Sequence, residues 1–126
     1  MQPLTLIVQN LIRLVGVTLI VLGFVFWSHH AYNLVPLHRW LGVALVVLLW
    51  ILAFIALSAR VSAGLAMIAL AWGLLVVFFG FNMGGMLPGR AHEAIRVLHF
   101  LIGLFAIALG EMLGARIKRK GQLRVS

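Results

Sequence analysis

The sequence has no cysteine, and only two of its 126 residues are acidic. The missing cysteine excludes disulfides, thiolate metal sites, iron–sulfur clusters and the C-x-x-C-H attachment of a c-type haem. There is no aspartate, so a zinc or di-iron site built from carboxylates is also poorly supplied with ligands. Any metal centre in this chain therefore depends chiefly on the five histidines.

Charge of either sign is scarce, since only 10% of the residues are charged and 64% are hydrophobic. A soluble domain of this size has too little interior to hide so much apolar surface, so we expect an integral membrane protein whose solvent is the lipid bilayer. The net charge of +8 does not indicate a nucleic-acid partner, because half of the basic residues follow an apolar segment directly. These five are Arg116, Lys118, Arg119, Lys120 and Arg124.

Four apolar segments predict a single all-α transmembrane domain over residues 1–126. The expected helices cover about 4–28, 35–58, 63–84 and 92–116. None of the segments shows the alternation of a membrane barrel, and helices are the other way to satisfy the backbone in lipid. The connections are short, so we predict an up-down-up-down four-helix bundle.

The basic residues predict an orientation. Arg13, Arg60 and the C-terminal tail fall on one side of the bundle, whereas Arg39, Arg90 and Arg96 fall on the other. The positive-inside rule then predicts that both termini are cytoplasmic, and we expect a bacterial inner membrane. All five histidines would lie towards the outer face. The first segment is expected to remain as a span and to act as a signal anchor.

The two halves of the chain, about 12–58 and 69–116, resemble each other. Both copies start on the same side, which predicts two parallel helical-hairpin repeats about an axis along the membrane normal. Such an axis brings equivalent side chains of the second and fourth helices to equal depth. The matched positions are Gly16 with Gly73, Gly23 with Gly80, His38 with His99, and Gly42 with Gly103.

His38 and His99 are the candidate metal ligands. A histidine inside the bilayer is costly and is a functional candidate by default. Imidazole suits zinc, copper, nickel and haem iron, but a tetrahedral zinc site needs further ligands, whereas haem iron needs only two axial donors. The matched glycines would clear space for a flat macrocycle beside the histidines. The alternative is that they serve close helix packing, as small residues commonly do in membranes.

These glycines and histidines, spread over roughly residues 14–114, resemble the four-helix transmembrane b-type cytochromes. That group includes the haem-bearing bundle of the quinol cytochrome b and the cytochrome b561-like proteins. There, glycines on the first and third helices flank haem held by histidines on the second and fourth. The resemblance implies one haem b on His38 and His99, with Gly16, Gly23, Gly73 and Gly80 beside it. The chain departs from the pattern because its cytoplasmic half has no histidine, so a second haem is not expected.

The resemblance further implies electron transfer between quinol and a redox partner protein, or a role as the haem-bearing anchor subunit of a redox complex. Quinone is a second expected ligand, and a homo- or hetero-oligomer is an expected assembly. A stand-alone enzyme is not expected, since no nucleophile triad, phosphate loop or metal-hydrolase motif is present. The alternatives are a histidine-based transporter of copper or a small solute, and a haem-free structural subunit.

Four more residues flank the expected haem. Arg39 and Arg96 would pair with its carboxylates, unless they are ordinary interfacial arginines. His30 and His92 are expected on the faces of Gly23 and His99, where they would bind a quinone head group, relay protons, take a copper ion or replace an axial ligand. The alternative is that they are solvated histidines at the edges of loops.

Glu111 is the only carboxylate well inside an apolar segment. An unpaired buried charge is expensive, so we predict a structural ion pair between Glu111 and Arg13, which lies at a comparable depth. The alternative is that Glu111 admits protons into the bundle.

Overall fold

The computed structural model describes residues 2–82 and 91–125. This part of the chain is helical and contains no strand. The long helices are α1 (Gln2–Trp27), α2 (Val35–Ser58), α3 (Ala63–Asn82) and α4 (Ala91–Val125), and a short 3-10 helix covers Tyr32–Leu34. All four long helices are long and apolar enough to cross a membrane. The predicted all-α class and the four apolar spans are therefore confirmed.

The ends of α2 follow from local chemistry. Pro36 lies in the first turn, where its missing N–H removes no helical hydrogen bond. The helix ends before Ala59, and the turn that follows holds Arg60 and Ser62 in the left-handed region, with φ of 57° and 47°. The Ala59 N–H donates to the Ile55 carbonyl, which satisfies one of the last acceptors of the helix. This tight turn leads directly into α3.

The predicted end of the fourth helix differs from the structure. The fourth helix was expected to stop near residue 116, but α4 continues to Val125. The reason is that its basic side chains contact the turn between α2 and α3: Arg116 donates to the Ser62 hydroxyl over 2.8 Å, and Lys120 donates to the Ala59 carbonyl. The third helix is described as far as Asn82. Residues 83–84 of its predicted range, and Arg90, lie outside the described residues.

The four helices form one bundle in which α1 and α3 each pack against both α2 and α4, and α2 also contacts α4 across the centre. We name the end that carries Arg60, Arg116 and Lys120 the basic end, and the opposite end, with His38 and His99, the histidine end. The basic half of the interior is filled by leucines with 0–1% exposure. These are Leu49, Leu52, Leu109 and Leu113.

The predicted pair between Arg13 and Glu111 is present and joins α1 to α4. Arg13 Nε lies 2.6 Å from Glu111 Oε1, and Arg13 Nη2 lies 2.9 Å from Oε2. The buried Gln9 amide donates to the same carboxylate over 3.1 Å. A Cβ on Gly114 would come within 2.6 Å of the Gln9 side-chain carbon, so glycine there allows α1 to approach α4 closely.

Candidate functional site

A cavity of about 420 Å³ lies at the histidine end, within the size range of small-molecule sites. Residues of all four long helices form its wall, and most of them are apolar. Its titratable lining residues are Tyr32, His38, Arg39, His92, Arg96 and His99. An apolar cavity with a few convergent polar groups is the usual form of a ligand site.

His38 on α2 and His99 on α4 face each other inside this cavity. Their ring centroids are 6.1 Å apart, and their planes meet at 55°. The edge of Phe26 contacts His38, and the ring of Phe79 stacks on His99 with an angle of 9°. Each imidazole therefore packs against one phenylalanine ring. The α2–α4 contact that the sequence predicted for the two histidines is thus present.

Both imidazoles have an unused nitrogen. The Nδ1 atoms of His38 and His99 are buried, and neither has a hydrogen-bond partner among the residues that the structure describes. Buried polar atoms in native proteins are nearly always partnered, and an exception indicates an ion, a water or a ligand that completes the site. Two such atoms on neighbouring rings leave hydrogen-bonding or ligating capacity available in this cavity.

The spacing of the rings fits a shared metal. A histidine nitrogen lies about 2.0–2.1 Å from a bound metal and about 1.1 Å from the centre of its own ring, so two imidazoles on one ion place their centroids about 6.3 Å apart. The observed distance is 6.1 Å. In residues 2–82 and 91–125 no group of three or more histidine, cysteine or acidic side chains is placed to hold a metal. The donor set therefore suits a metal that brings its remaining ligands with it, as haem iron does.

Four glycines lie on the cavity wall near the histidines. A Cβ added to Gly23 would lie 3.9 Å from His38 Cε1, and a Cβ added to Gly80 would lie 3.9 Å from His99 Cε1. Gly42 and Gly103 face open space, with nothing within 4 Å of an added Cβ. At these positions the missing side chains leave room beside the imidazoles, as the sequence predicted.

Gly16 and Gly73 differ from this group. Gly16 lines the cavity, but an added Cβ would lie 2.8 Å from Ile107, so this glycine also serves helix packing. Gly73 was expected beside the ligand, and that expectation is wrong. Its Cα faces the Trp50 indole, which would collide with an added Cβ, and Val46, at 3.0 Å. The Trp50 indole is held in this space because its Nε1 donates to the carbonyl of Leu70, a residue of α3.

His30 and His92 differ in their position relative to the cavity. His92 lies on the cavity wall. His30 does not, contrary to the prediction that it shares the face of Gly23. The reason is that α1 ends at Trp27 and the chain then turns, with φ of 64° at His29, so the helical spacing from Gly23 does not extend to His30. His30 is exposed.

Tyr32 is a cavity residue that the sequence analysis did not identify. It lies in the short 3-10 helix, its side chain lines the cavity, and its hydroxyl is 2.6 Å from His29 Nδ1. The left-handed conformations of His29 and Ala31 turn the chain back over the bundle and place Tyr32 there. No periodic pattern in the sequence predicts such a turn.

The two flanking arginines line the cavity but have different surroundings. The guanidinium of Arg39 lies over the Phe81 ring, 5.2 Å from its centroid. Arg96 donates to Glu93 over 3.0 Å, and the other oxygen of Glu93 accepts the Trp27 indole N–H at 3.2 Å. Sequence reasoning missed Glu93, although its position three residues before Arg96 on one helix is the spacing of a helical ion pair.

The geometry thus assembles two facing imidazoles, five glycines and two arginines around one cavity. No protein-family model matches this chain, and no curated protein or solved structure matches it closely enough to identify a relative.

Proposed function

We propose that this chain is a membrane b-type cytochrome that holds one haem b between His38 and His99. The observation that carries the proposal is the pair of facing imidazoles, 6.1 Å apart in an apolar cavity, each with a buried nitrogen that lacks a partner in the described residues. Spacing, burial and unmet hydrogen-bonding capacity all favour one metal between the two rings.

Haem fits these residues better than an ion held by protein alone. His38 and His99 would hold the haem through their imidazole nitrogens, and no further protein ligand would be needed. When bound, the haem supplies reversible one-electron exchange at its iron. The chain's own residues hold the group in place: the histidines fix its position, the cavity glycines leave room for its plane, and the apolar wall keeps water away.

The proposed activity is electron transfer between quinol and a redox partner protein, either alone or as the haem-bearing anchor of a larger complex. Ligation by both His38 and His99 leaves no open position on the metal for oxygen. Electron transfer needs no such position and instead favours a rigid site. Phe26 and Phe79, which pack on the two imidazoles, supply that rigidity.

We also propose that the chain is built from two parallel hairpin repeats. Positions on α1 then match those on α3 57 residues later, and positions on α2 match those on α4 61 residues later. Three pairs of equivalent contacts support this proposal, where the approach of an added glycine Cβ counts as a contact. The counterparts are Gly23–His38 and Gly80–His99, Gly16–Ile107 and Gly73–Val46, and Phe24–Phe100 and Phe81–Arg39.

The proposed topology is up-down-up-down with the basic end in the cytoplasm and the histidine end on the outer side of a bacterial inner membrane. The clustering of Arg60, Arg116 and Lys120 at one end supports this orientation through the positive-inside rule. Electrons would then be exchanged with an acceptor or donor near the outer face.

The test is the visible spectrum of the full chain, expressed in haem-replete cells and purified in mild detergent. We expect a red preparation with about one haem per chain, given one pair of axial donors, and a sharp alpha band on reduction with dithionite. A colourless preparation that also fails to take up added haem would contradict the proposal. That result would favour the haem-free structural subunit. Retention of copper without haem would favour the transporter.

A further inference from the structure

We infer that Arg39 binds a carboxylate of the cavity's ligand, and that this contact sets the ligand's orientation between two otherwise matched histidines. The inference rests on the proposed haem site. It adds that Arg39 makes one edge of the cavity positively charged. Haem b carries two carboxylates, and an arginine fork is the side chain that matches a carboxylate best.

Both acidic side chains of the chain are paired with arginines other than Arg39. Only two side-chain carboxylates exist in the whole sequence. Glu111 is paired with Arg13 near the basic end, and Glu93 is paired with Arg96 while also accepting the Trp27 indole N–H. No side-chain carboxylate is left for Arg39. Its described contact is instead the face of Phe81.

Arg39 lies on the cavity wall beside one of the two proposed ligands of the metal. It lines the cavity and follows His38 directly on α2. A ligand bound by His38 in this cavity would therefore lie near Arg39. Arg39 is exposed near the start of α2, so it is not a buried charge, but no side-chain carboxylate of the chain pairs with it. A carboxylate on a ligand held by His38 would be a partner that its guanidinium fork matches.

The two edges of the cavity differ in chemistry. In the repeat, the counterpart of Arg39 on α4 is Phe100, which packs against Phe24 with ring centroids 5.4 Å apart. One edge, between α2 and α3, is therefore cationic, and the opposite edge, between α1 and α4, is aromatic. Two matched histidines alone would accept a haem turned either way about their common axis. Arg39 breaks this symmetry and draws the acidic edge of the ligand towards α2 and α3.

Arg96 provides a matched control, because it also lines the cavity but already has a carboxylate partner. The experiment titrates the haem-free full chain in detergent with haem b and with the dimethyl ester of haem b, which lacks both negative charges. The variants are Arg39→Gln, Arg39→Lys and Arg96→Gln. The dissociation constant for each porphyrin is followed by the rise of the low-spin absorption band.

For Arg39→Gln we expect the dissociation constant of haem b to rise by about tenfold or more, the usual effect of losing a charge-assisted hydrogen bond. The constant for the ester should change by less than about twofold, because the ester has no carboxylate to lose. Arg39→Lys should recover part of the loss, since lysine keeps the charge but not the fork. Arg96→Gln should affect haem b and its ester equally.

Each other outcome has a separate meaning. If the wild-type chain binds haem b and Arg39→Gln weakens both porphyrins equally, or neither, the inference about Arg39 is wrong and the haem site stands. If Arg96→Gln rather than Arg39→Gln discriminates between the porphyrins, the assignment of the two arginines is reversed and the inference fails. If the wild-type chain binds neither porphyrin, both proposals fall. The helical circular dichroism of each variant shows whether it is folded.

Discussion

The two ends of this bundle use the same helices in opposite ways. At the basic end, leucines with almost no exposure fill the interior, and Arg13 is satisfied by Glu111. At the histidine end, the interior is a cavity, two buried imidazole nitrogens lack partners among the described residues, and Arg39 has no side-chain carboxylate. Apart from the buried Gln9 Oε1, which also lacks a hydrogen-bond partner in the described residues, the basic end is filled and paired by protein side chains. The histidine end instead leaves a cavity with two such imidazole nitrogens on its wall.

The ends also differ in symmetry. At the histidine end, a Cβ added to Gly23 would lie 3.9 Å from His38 Cε1, and a Cβ added to Gly80 would lie 3.9 Å from His99 Cε1. Towards the basic end, the position of Trp50 on α2 corresponds to that of Glu111 on α4, and the two side chains differ in size, charge and partner. Matched residues around the cavity suit a ligand that binds between two similar faces. Unmatched residues elsewhere suit packing alone.

The largest effect is expected from removing a histidine. In His38→Ala or His99→Ala, one axial nitrogen is lost, so we expect the low-spin haem band to disappear and the haem content to fall to background. The measurement is the ratio of haem absorbance to protein in the purified variants. His30→Ala is the control, because His30 is exposed and lies outside the cavity wall. An unchanged low-spin band in both variants would mean that the axial ligands are other residues.

The sequence predicted the histidine end well because its signals are periodic. A histidine and a glycine one turn apart, repeated on a second helix, predict a shared face through helical geometry alone. The facing of His38 and His99 could therefore be predicted from residue spacing. What the sequence did not reveal depends on side-chain volume and on turns: the Trp50 indole takes the space beside Gly73, and the left-handed turn at His29 carries His30 away from the cavity.

The next largest effect tests the basic end. In Glu111→Ala, Arg13 loses both of its contacts with the carboxylate and the buried Gln9 amide loses its acceptor. We expect the free energy of unfolding to fall, by less than for a fully buried pair because the Arg13 and Glu111 side chains are 50% and 39% exposed. Chemical denaturation in detergent measures this, and Glu111→Gln is the intermediate control.

The same variant decides what Glu111 does. Loss of stability and haem content together would support the structural role of the Arg13–Glu111 pair. Loss of turnover with quinol, in a protein of unchanged stability and haem content, would instead assign Glu111 to proton uptake. The first outcome keeps the contrast between the two ends, and the second would make the basic end functional as well.

A pair of glycine variants sharpens the comparison. Gly73→Ala forces a methyl group into the Trp50 indole, so we expect a loss of about 1–3 kcal/mol in the free energy of unfolding, as in other overpacked cores. Gly42→Ala adds a methyl group to open space in the cavity wall, so haem affinity should fall while the stability of the haem-free chain stays nearly constant. Equal effects of the two variants on haem affinity would return Gly73 to the ligand site.

The smallest effect is expected from Trp50→Phe. This substitution keeps an aromatic ring but removes the N–H that donates to the Leu70 carbonyl over 3.2 Å. The α3 backbone already uses that carbonyl as a helical acceptor, so the loss should be about 1 kcal/mol. The position and width of the reduced alpha band should not change, because Trp50 is not part of the cavity wall. A shifted band would show that packing towards the basic end is transmitted to the imidazoles. The two ends would then be coupled through α2, which carries both Trp50 and His38, instead of acting as separate halves of one scaffold.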